Sequence, residues 1–211
     1  EVFSGDLLIL FFSLVLAVTS ISSVGFLGDR LQASMKMQAS SMLGADLVLR
    51  STSEIDAEFL SKAETNNLNW AETTTFLSMV ITKDDNLLTS VKAVTDLYPL
   101  RGELKIVNFN GIQIEHSGSP PSGKIWIEKK ISESLELNQS DALSIGNKNF
   151  IVDGIIEDYP DRNSSFVGFY PIAIANIVDV EEMGVIQTGS RVVYRKLFSG
   201  TQDNLNSFED S

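Results

Sequence analysis

The chain has 211 residues, 43% of them hydrophobic, with no cysteine, a single histidine and a formal net charge of −12. An acidic balance of this size offers nothing to the phosphates of nucleic acid and no reason to lie flat on anionic lipid. The absence of cysteine removes disulfide scaffolds, thiolate metal sites and thiol nucleophiles. The chain begins at Glu1 rather than Met and is read as a fragment or a processed product.

The average hides an asymmetry. Residues 7–28 carry no charge, and only Glu1 and Asp6 are charged before Asp29. A helix of 22 residues covers about 33 Å, enough to cross a hydrocarbon core of about 30 Å. The stretch reads as a transmembrane helix. Two other readings stand beside it. A cleaved signal peptide would use residues 7–18 as its apolar region and Ser20-Ile21-Ser22 near the cleavage site, but no Lys or Arg precedes the run. A buried core helix would need a larger domain around it. Ser13, Ala17 and Ser20 share one helix face, and Thr19 and Ser23 form a second small pair. Small residues let helix backbones approach closely in a membrane, so these five are expected at contacts with partner helices. Arg30 and Lys36 follow the span and nothing basic precedes it, which taken literally places the main domain on the cytoplasmic side; this is discounted, because the segment before the span is expected to be missing from the chain.

Residues 29–44 continue as a stalk helix. Leu31, Met35, Ala39 and Met42 recur at helical spacing and are expected to form its packing surface, with Gly44 as the stop. No proline interrupts residues 7–43. A strand is expected over 45–51, then a helix capped by Ser53, with Asp56 as its capping-box partner and Ile55, Phe59, Leu60 and Ala63 on the buried side. Residues 70–82 and 87–95 read as a hairpin around Lys83-Asp84-Asp85-Asn86. A strand follows at 104–108. The Gly- and Pro-rich stretch 110–123 reads as a surface loop. Strands are expected at 124–128, 142–145, 149–157, 169–175 and 191–198. Helices are expected around Ile131 and over 177–183. Residues 159–168 read as polar loop, with Glu157, Asp158, Asp161 and Arg162 around Pro160 as a structural loop or a polar contact. Residues 199–211 read as a polar tail that frays.

The chemistry of an enzyme is missing. The only histidine, His116, sits in a Gly/Ser/Pro loop and reads as solvated. One histidine makes neither a zinc site nor a triad without clustered partners. There is no G-x-x-x-x-G-K-[ST] loop and no G-x-G-x-x-G fingerprint, so no cofactor is expected on this chain. Asn138-Gln139-Ser140 and Asn163-Ser164-Ser165 match glycosylation sequons, which matter only in a eukaryotic secretory setting.

Six stretches taken in order carry a resemblance: LVLAVTSISSVGFLGDRLQ, SSMLGADLVLRS, TFLSMV, SVKAVTDLYPLRGEL, LELNQSDALSIGNKNFIVDGIIEDYPD and TGSRVVYR. Together they resemble the start of YbbP-like ABC-transporter permeases, within the wider MacB/FtsX-type group. One departure is Ser140-Asp141, where members often carry Gly-Asp. The resemblance implies an α+β fold: a transmembrane helix (1–28), a stalk helix (29–44) and a two-lobed, mixed-sheet periplasmic core domain (45–198). The lobes are expected near 45–110 and 124–198, intertwined if the chain leaves one and returns. It also implies a bacterial inner-membrane permease whose further transmembrane helices lie elsewhere in the full-length protein. ATP and Mg would be bound by a separate YbbA-like ATPase subunit, and a periplasmic esterase is a further implied partner. Its work would be export or extraction of a hydrophobic or lipid-type compound, with ATP hydrolysis coupled to movement of the periplasmic domain. A single-pass anchor carrying an extracytoplasmic sensor or adaptor is the alternative. A membrane-anchored hydrolase is weaker, for want of a nucleophile and base.

Overall fold

The structure, a computed structural model, describes residues 3–116, 118–162, 169–187 and 189–210. It divides into two compact units, Glu1–Ala39 and Ser40–Ser211. The second sequon, 163–165, lies outside the described residues.

The first unit is helical. Helix α1 (Phe3–Leu43) runs unbroken for 41 residues and continues into the second unit for its last turn. Over residues 7–43 it is long and apolar enough to cross a membrane. Its apolar side chains are exposed on every side, among them Ile9, Leu16, Ile21 and Val24. A helix greasy all round is a membrane span or a core element, and this exposure removes the buried-core reading. Gly44 ends the helix in the left-handed region (φ 75°), with the Ala45 N–H donating back to the Ser40 carbonyl at 3.2 Å. That is the glycine-terminated helix end the sequence implied.

The second unit is a mixed α+β domain. Its strands in chain order are β1 (Leu47–Ser51), β2 (Asn69–Ile81), β3 (Asn86–Val94), β4 (Lys105–Val107), β5 (Lys124–Glu128), β6 (Ala142–Ile145), β7 (Lys148–Asp158), β8 (Ile172–Asn176) and β9 (Val192–Ser199). Helix α2 (Glu58–Thr65) follows β1, α3 (Lys129–Ser134) follows β5, α4 (Val180–Met183) follows β8 through a 3-10 turn, and α5 (Gln202–Glu209) follows β9. The sheet order is β1-β9-β2-β3-β8-β5-β7-β4, and β6 pairs with both β2 and β7. The strands β2, β3, β8, β5, β7 and β6 therefore close into a ring. Among the described strand pairs only β3–β8 and β5–β7 are parallel.

Residues 45–110 and 124–198 are interleaved in this sheet. β9 lies between β1 and β2, and β8 joins β3 to β5, so the loop 110–123 does not part it. One face of the ring strands points inward on Phe76, Val80, Val91, Ile125, Ile127, Phe150 and Val152, and Ile131 of α3 packs into the same cluster. The opposite face carries Val94, Trp126, Ile156 and Ile174, joined by Ile106 of β4, under the loops 96–104 and 114–116. A third cluster, Ala63, Leu68, Phe198, Leu205 and Phe208, lies between β9, α2 and α5.

Two local expectations are corrected. The polar tail does not fray: it holds α5. Thr201 caps the helix by accepting the Asn204 N–H, and Leu205 and Phe208, three residues apart, are buried, the Phe208 ring 4.7 Å from that of Phe198. Two such side chains contribute about 2 kcal/mol each towards the cost of ordering a segment that is otherwise polar. Helix α2 starts at Glu58, not after Ser53. The Asp56 carboxylate takes the Glu58 N–H at 3.0 Å, and Ser53 instead donates its N–H to Ser51 Oγ. A carboxylate two residues ahead satisfies the helix's first free donor and so sets its start.

The end of the loop 110–123 is fastened at Ser122 and Gly123. Asp179, fully buried, accepts from Ser122 Oγ (2.5 Å), the Gly123 N–H (3.1 Å) and Lys148 Nζ (2.6 Å). Burial alone would lower the Lys148 pKa, but its bonds to Asp179 and Glu182 outweigh that and hold the ammonium above its ordinary value.

Ser140, the departure from the Gly-Asp pattern, has φ 71°. That region costs an L-residue roughly 1–2 kcal/mol, which glycine avoids at the expense of a more flexible unfolded chain. Ser140→Gly is expected to raise the unfolding free energy by about 0.5–1 kcal/mol in a denaturant titration.

Candidate functional site

Four of the resembling stretches, far apart in sequence, meet where α1 ends. They contribute Ser40 to Asp46, Lys92 to Gly102, Tyr159 to Asp161, and Arg195. The organising residue is Asp161. Lys92 sits on β3 opposite Thr75 and Arg195 on β9 opposite Thr73, so the two cations flank β2 on the same face of the sheet. Between them lies the Asp161 carboxylate. Lys92 Nζ reaches its oxygens at 2.5 and 2.7 Å, Arg195 Nη1 donates at 2.7 Å, and the Tyr98 hydroxyl donates at 2.9 Å. Lys92 also donates to the Tyr98 oxygen at 2.8 Å and stands over its ring, 4.5 Å from the centroid. The side chains of Lys92, Asp161 and Arg195 are only 4%, 3% and 8% exposed. Charges this deep persist only when paired and hydrogen-bonded.

The same residue holds the helix. Asp161 has φ 59°, a left-handed conformation that aspartate tolerates better than most residues. This turns its N–H onto the Met42 carbonyl at 2.7 Å while its carboxylate faces the sheet. The Gly44 carbonyl accepts from Leu100 and Arg101 at 2.9 and 3.0 Å. These bonds satisfy carbonyls that a helix end leaves without partners. Gly102 (φ 80°) lets the loop approach: a Cβ there would stand 2.7 Å from the Ser41 carbonyl oxygen. Arg101 closes the outside with a fork onto Asp46, 3.1 and 2.7 Å, and Asp46 also accepts the Gly200 N–H. Arg162 pairs with Glu128 beside the half-buried Tyr159.

Burial dominates the electrostatics. It lowers the Lys92 pKa against the pull of Asp161, which raises it. It drives the Tyr98 phenol well above its ordinary value, with the Asp161 charge adding to the shift. It pushes Tyr159 up to about 12, helped by the charge of Glu128. The arrangement is a clamp between a helix end and the middle of a sheet. Among the described residues no three His, Asp, Glu or Cys side chains converge on a metal position.

The residues singled out on α1 lie elsewhere. Ser13 and Ser20 donate to the carbonyls of Leu10 and Leu16 at 2.9 and 2.8 Å, and Ala17, Thr19 and Ser23 are exposed. Leu31, Met35, Ala39 and Met42 are exposed as well; the buried residue of this stretch is Ser40. His116 is only partly solvated. It is half-buried, its ring 4.9 Å from that of Trp126, with Nε2 2.9 Å from the Leu104 carbonyl. The Gly118 N–H can only donate, so Nδ1 accepts it and Nε2 carries the proton. Sequence reasoning placed Asp161 in a polar loop and did not pair it. The signal available was a lysine inside a strand of otherwise apolar and small residues, Lys92, which needs a buried partner.

Two outcomes follow. Asp161→Asn removes the carboxylate that Lys92 and Arg195 share and is expected to destabilise by about 3–5 kcal/mol, whereas Arg162→Ala, at a half-exposed pair, is expected to cost less than about 1 kcal/mol. Both are read by denaturant unfolding. Tyr159 keeps its proton when folded and loses it near pH 10 when unfolded. Its contribution is therefore complete below pH about 10 and lost as pH rises towards about 12. Tyr159→Phe is expected to flatten the fall in stability across that window.

No protein-family model matches the chain. It is 29% identical over 206 residues, 98% of its length, to YbbP, an ABC transporter permease of Escherichia coli strain K12, and spans 25% of that protein. In structure it is similar to the extracellular domain of the noncanonic ABC-type transporter YknZ from Gram-positive bacteria, with TM-score 0.52, 8% identity, and 74% of this chain and 79% of that one covered. It is likewise similar to the periplasmic region of MacB from Actinobacillus actinomycetemcomitans, with TM-score 0.52, 10% identity, and 81% and 84% covered. At those identities what is shared is the fold. Along nearly its whole length this chain resembles about a quarter of an ABC transporter permease, and its domain has the fold of the YknZ and MacB domains.

Proposed function

We propose that the chain is part of an ABC-transporter permease that couples ATP hydrolysis on a partner ATPase to movement of a periplasmic domain. In this reading α1 crosses the bacterial inner membrane and the sheet domain stands in the periplasm. The face of Ser13, Ala17 and Ser20, with Thr19 and Ser23, packs against further transmembrane helices of the full-length permease. Leu31, Met35, Ala39 and Met42 pack against their extensions. ATP and Mg belong to the YbbA-like ATPase subunit, and a periplasmic esterase is a fitting partner for a permease that exports or extracts a hydrophobic or lipid-type compound.

The observation that supports this most is mechanical. Helix α1 is 41 residues long, without a proline. At 1.5 Å per residue that is about 60 Å, twice the hydrocarbon thickness. Its end is held by buried bonds to the centre of the sheet, through Asp161, and not by a flexible linker. A Gly/Ser linker would absorb displacement, whereas a continuous helix passes it on.

Inserting a Gly-Ser hinge near Arg30 in the full-length permease tests the reading. ATP-driven displacement of the domain, followed by fluorescence transfer between labels on the domain and on the cytoplasmic side, is expected to disappear while ATP hydrolysis continues. Displacement that survives unchanged would refute the coupling role.

A further inference from the structure

A groove of about 900 Å³ opens on the face of β2 and β9 opposite the Asp161 clamp. Strand alternation turns the two ways: the Arg195 guanidinium bonds to the clamp, and its neighbour Lys196 and Glu72 of β2 face the groove, which Arg195 and Thr73 also border. Residues 54–60 border it on one segment and residues 177–186 on another. Its volume lies in the range that holds a small organic molecule. The lining is apolar where Ile55, Leu60, Val180 and Ile186 are half-buried, and Val178 stands 65% exposed.

Carboxylates outnumber cations in the lining: Glu54, Asp56, Glu72 and Glu181 against Arg195 and Lys196, and both cations are engaged. Lys196, 6% exposed in its side chain, is engaged by Glu72 at 3.1 Å and donates to the Asp56 carbonyl at 3.1 Å. Arg195 is engaged on the other face by Asp161. Three more carboxylates line the groove, Glu54 and Asp56 from one segment and Glu181 from the other, and all three residues are exposed. Among the ion pairs of the described residues none involves Glu54, Asp56 or Glu181. Apolar walls beneath an acidic rim are complementary to one chemistry, an apolar body carrying a positive charge.

We propose that this groove binds a small cationic amphiphile, its apolar part against Val178, Val180 and Ile186 and its ammonium between Glu54 and Glu181. The rim charges are solvated, so they select the sign of the ligand and the contact weakens with salt. Octylammonium, octanoate and octanol form a matched set of probes. The whole chain, held in nanodiscs of zwitterionic lipid with methyl-labelled Ile, Leu and Val, reports binding at the methyls of Val178 and Ile186.

Octylammonium is expected to shift these methyls saturably, and octanoate to bind at least about tenfold more weakly. The double variant Glu54→Gln/Glu181→Gln is expected to weaken octylammonium by at least about fivefold. Val178→Trp, a surface change that fills the groove and leaves the fold alone, is expected to abolish the shifts. Equal affinity for octylammonium and octanoate, indifference to both variants, absence of saturable shifts, or a response to a basic peptide alone would each overturn the proposal.

Discussion

The Asp161 carboxylate lies between Lys92 and Arg195, and its backbone N–H closes the end of a 41-residue helix. Burying three charges is expensive, and the attraction between them offsets the loss of hydration only when every donor is aimed. Here the aim is fixed from several sides. Lys92 and Arg195 are held by neighbouring strands of one sheet, Tyr98 by the loop that wraps the helix end, and Asp161 by a turn in the left-handed region. Displacing the helix end would disturb its bonds to Asp161 and to Leu100 and Arg101 together. The helix end and the sheet centre are in that sense one mechanical piece.

The closed ring explains why such a polar cluster can be accommodated. The interior of the ring is apolar, and the strands turn their other face outward. Charged groups therefore occupy the outer face, where the 96–104 and 159–162 segments cover them. Strand β2 serves two partners along one edge, β9 over residues 69–76 and β6 at Val80 and Ile81. β9 in turn carries Arg195 to the clamp and Lys196 to the opposite groove. A shift of β9 would be felt on both faces, which places the helix end and the groove in contact with the same strand.

Much of this was legible from residues. The uncharged run before Asp29, the absence of proline and Gly44 mark the helix and its end. Alternating Thr, Phe, Val and Ile around Lys83 to Asn86 mark the longest hairpin. What was hidden depended on distance in sequence. Asp161 sits in a stretch with Pro160 and Arg162 that reads as solvent-facing, and only the strand order brings Lys92 and Arg195 to it. His116 is held by a carbonyl and a ring from other segments. Helix α5 has two apolar residues in eight, too few for a periodicity, and is ordered by Phe198. The lobes expected from the Gly/Pro-rich loop are interleaved because β8 and β9 return into a sheet begun by β1 to β3. The exposed stalk residues Leu31, Met35, Ala39 and Met42 show that periodicity identifies a face without saying what it meets.

The most direct test of the clamp is amide hydrogen exchange in the membrane-reconstituted chain, read at Asp161, Leu100 and Arg101, whose N–H groups hold the helix end. If these bonds join helix and sheet, the three amides exchange as slowly as those of β3 and β9, opening only with the whole domain. Exchange at the rate of an exposed loop, with β3 and β9 still protected, would show a helix end that comes loose by itself and would contradict the account.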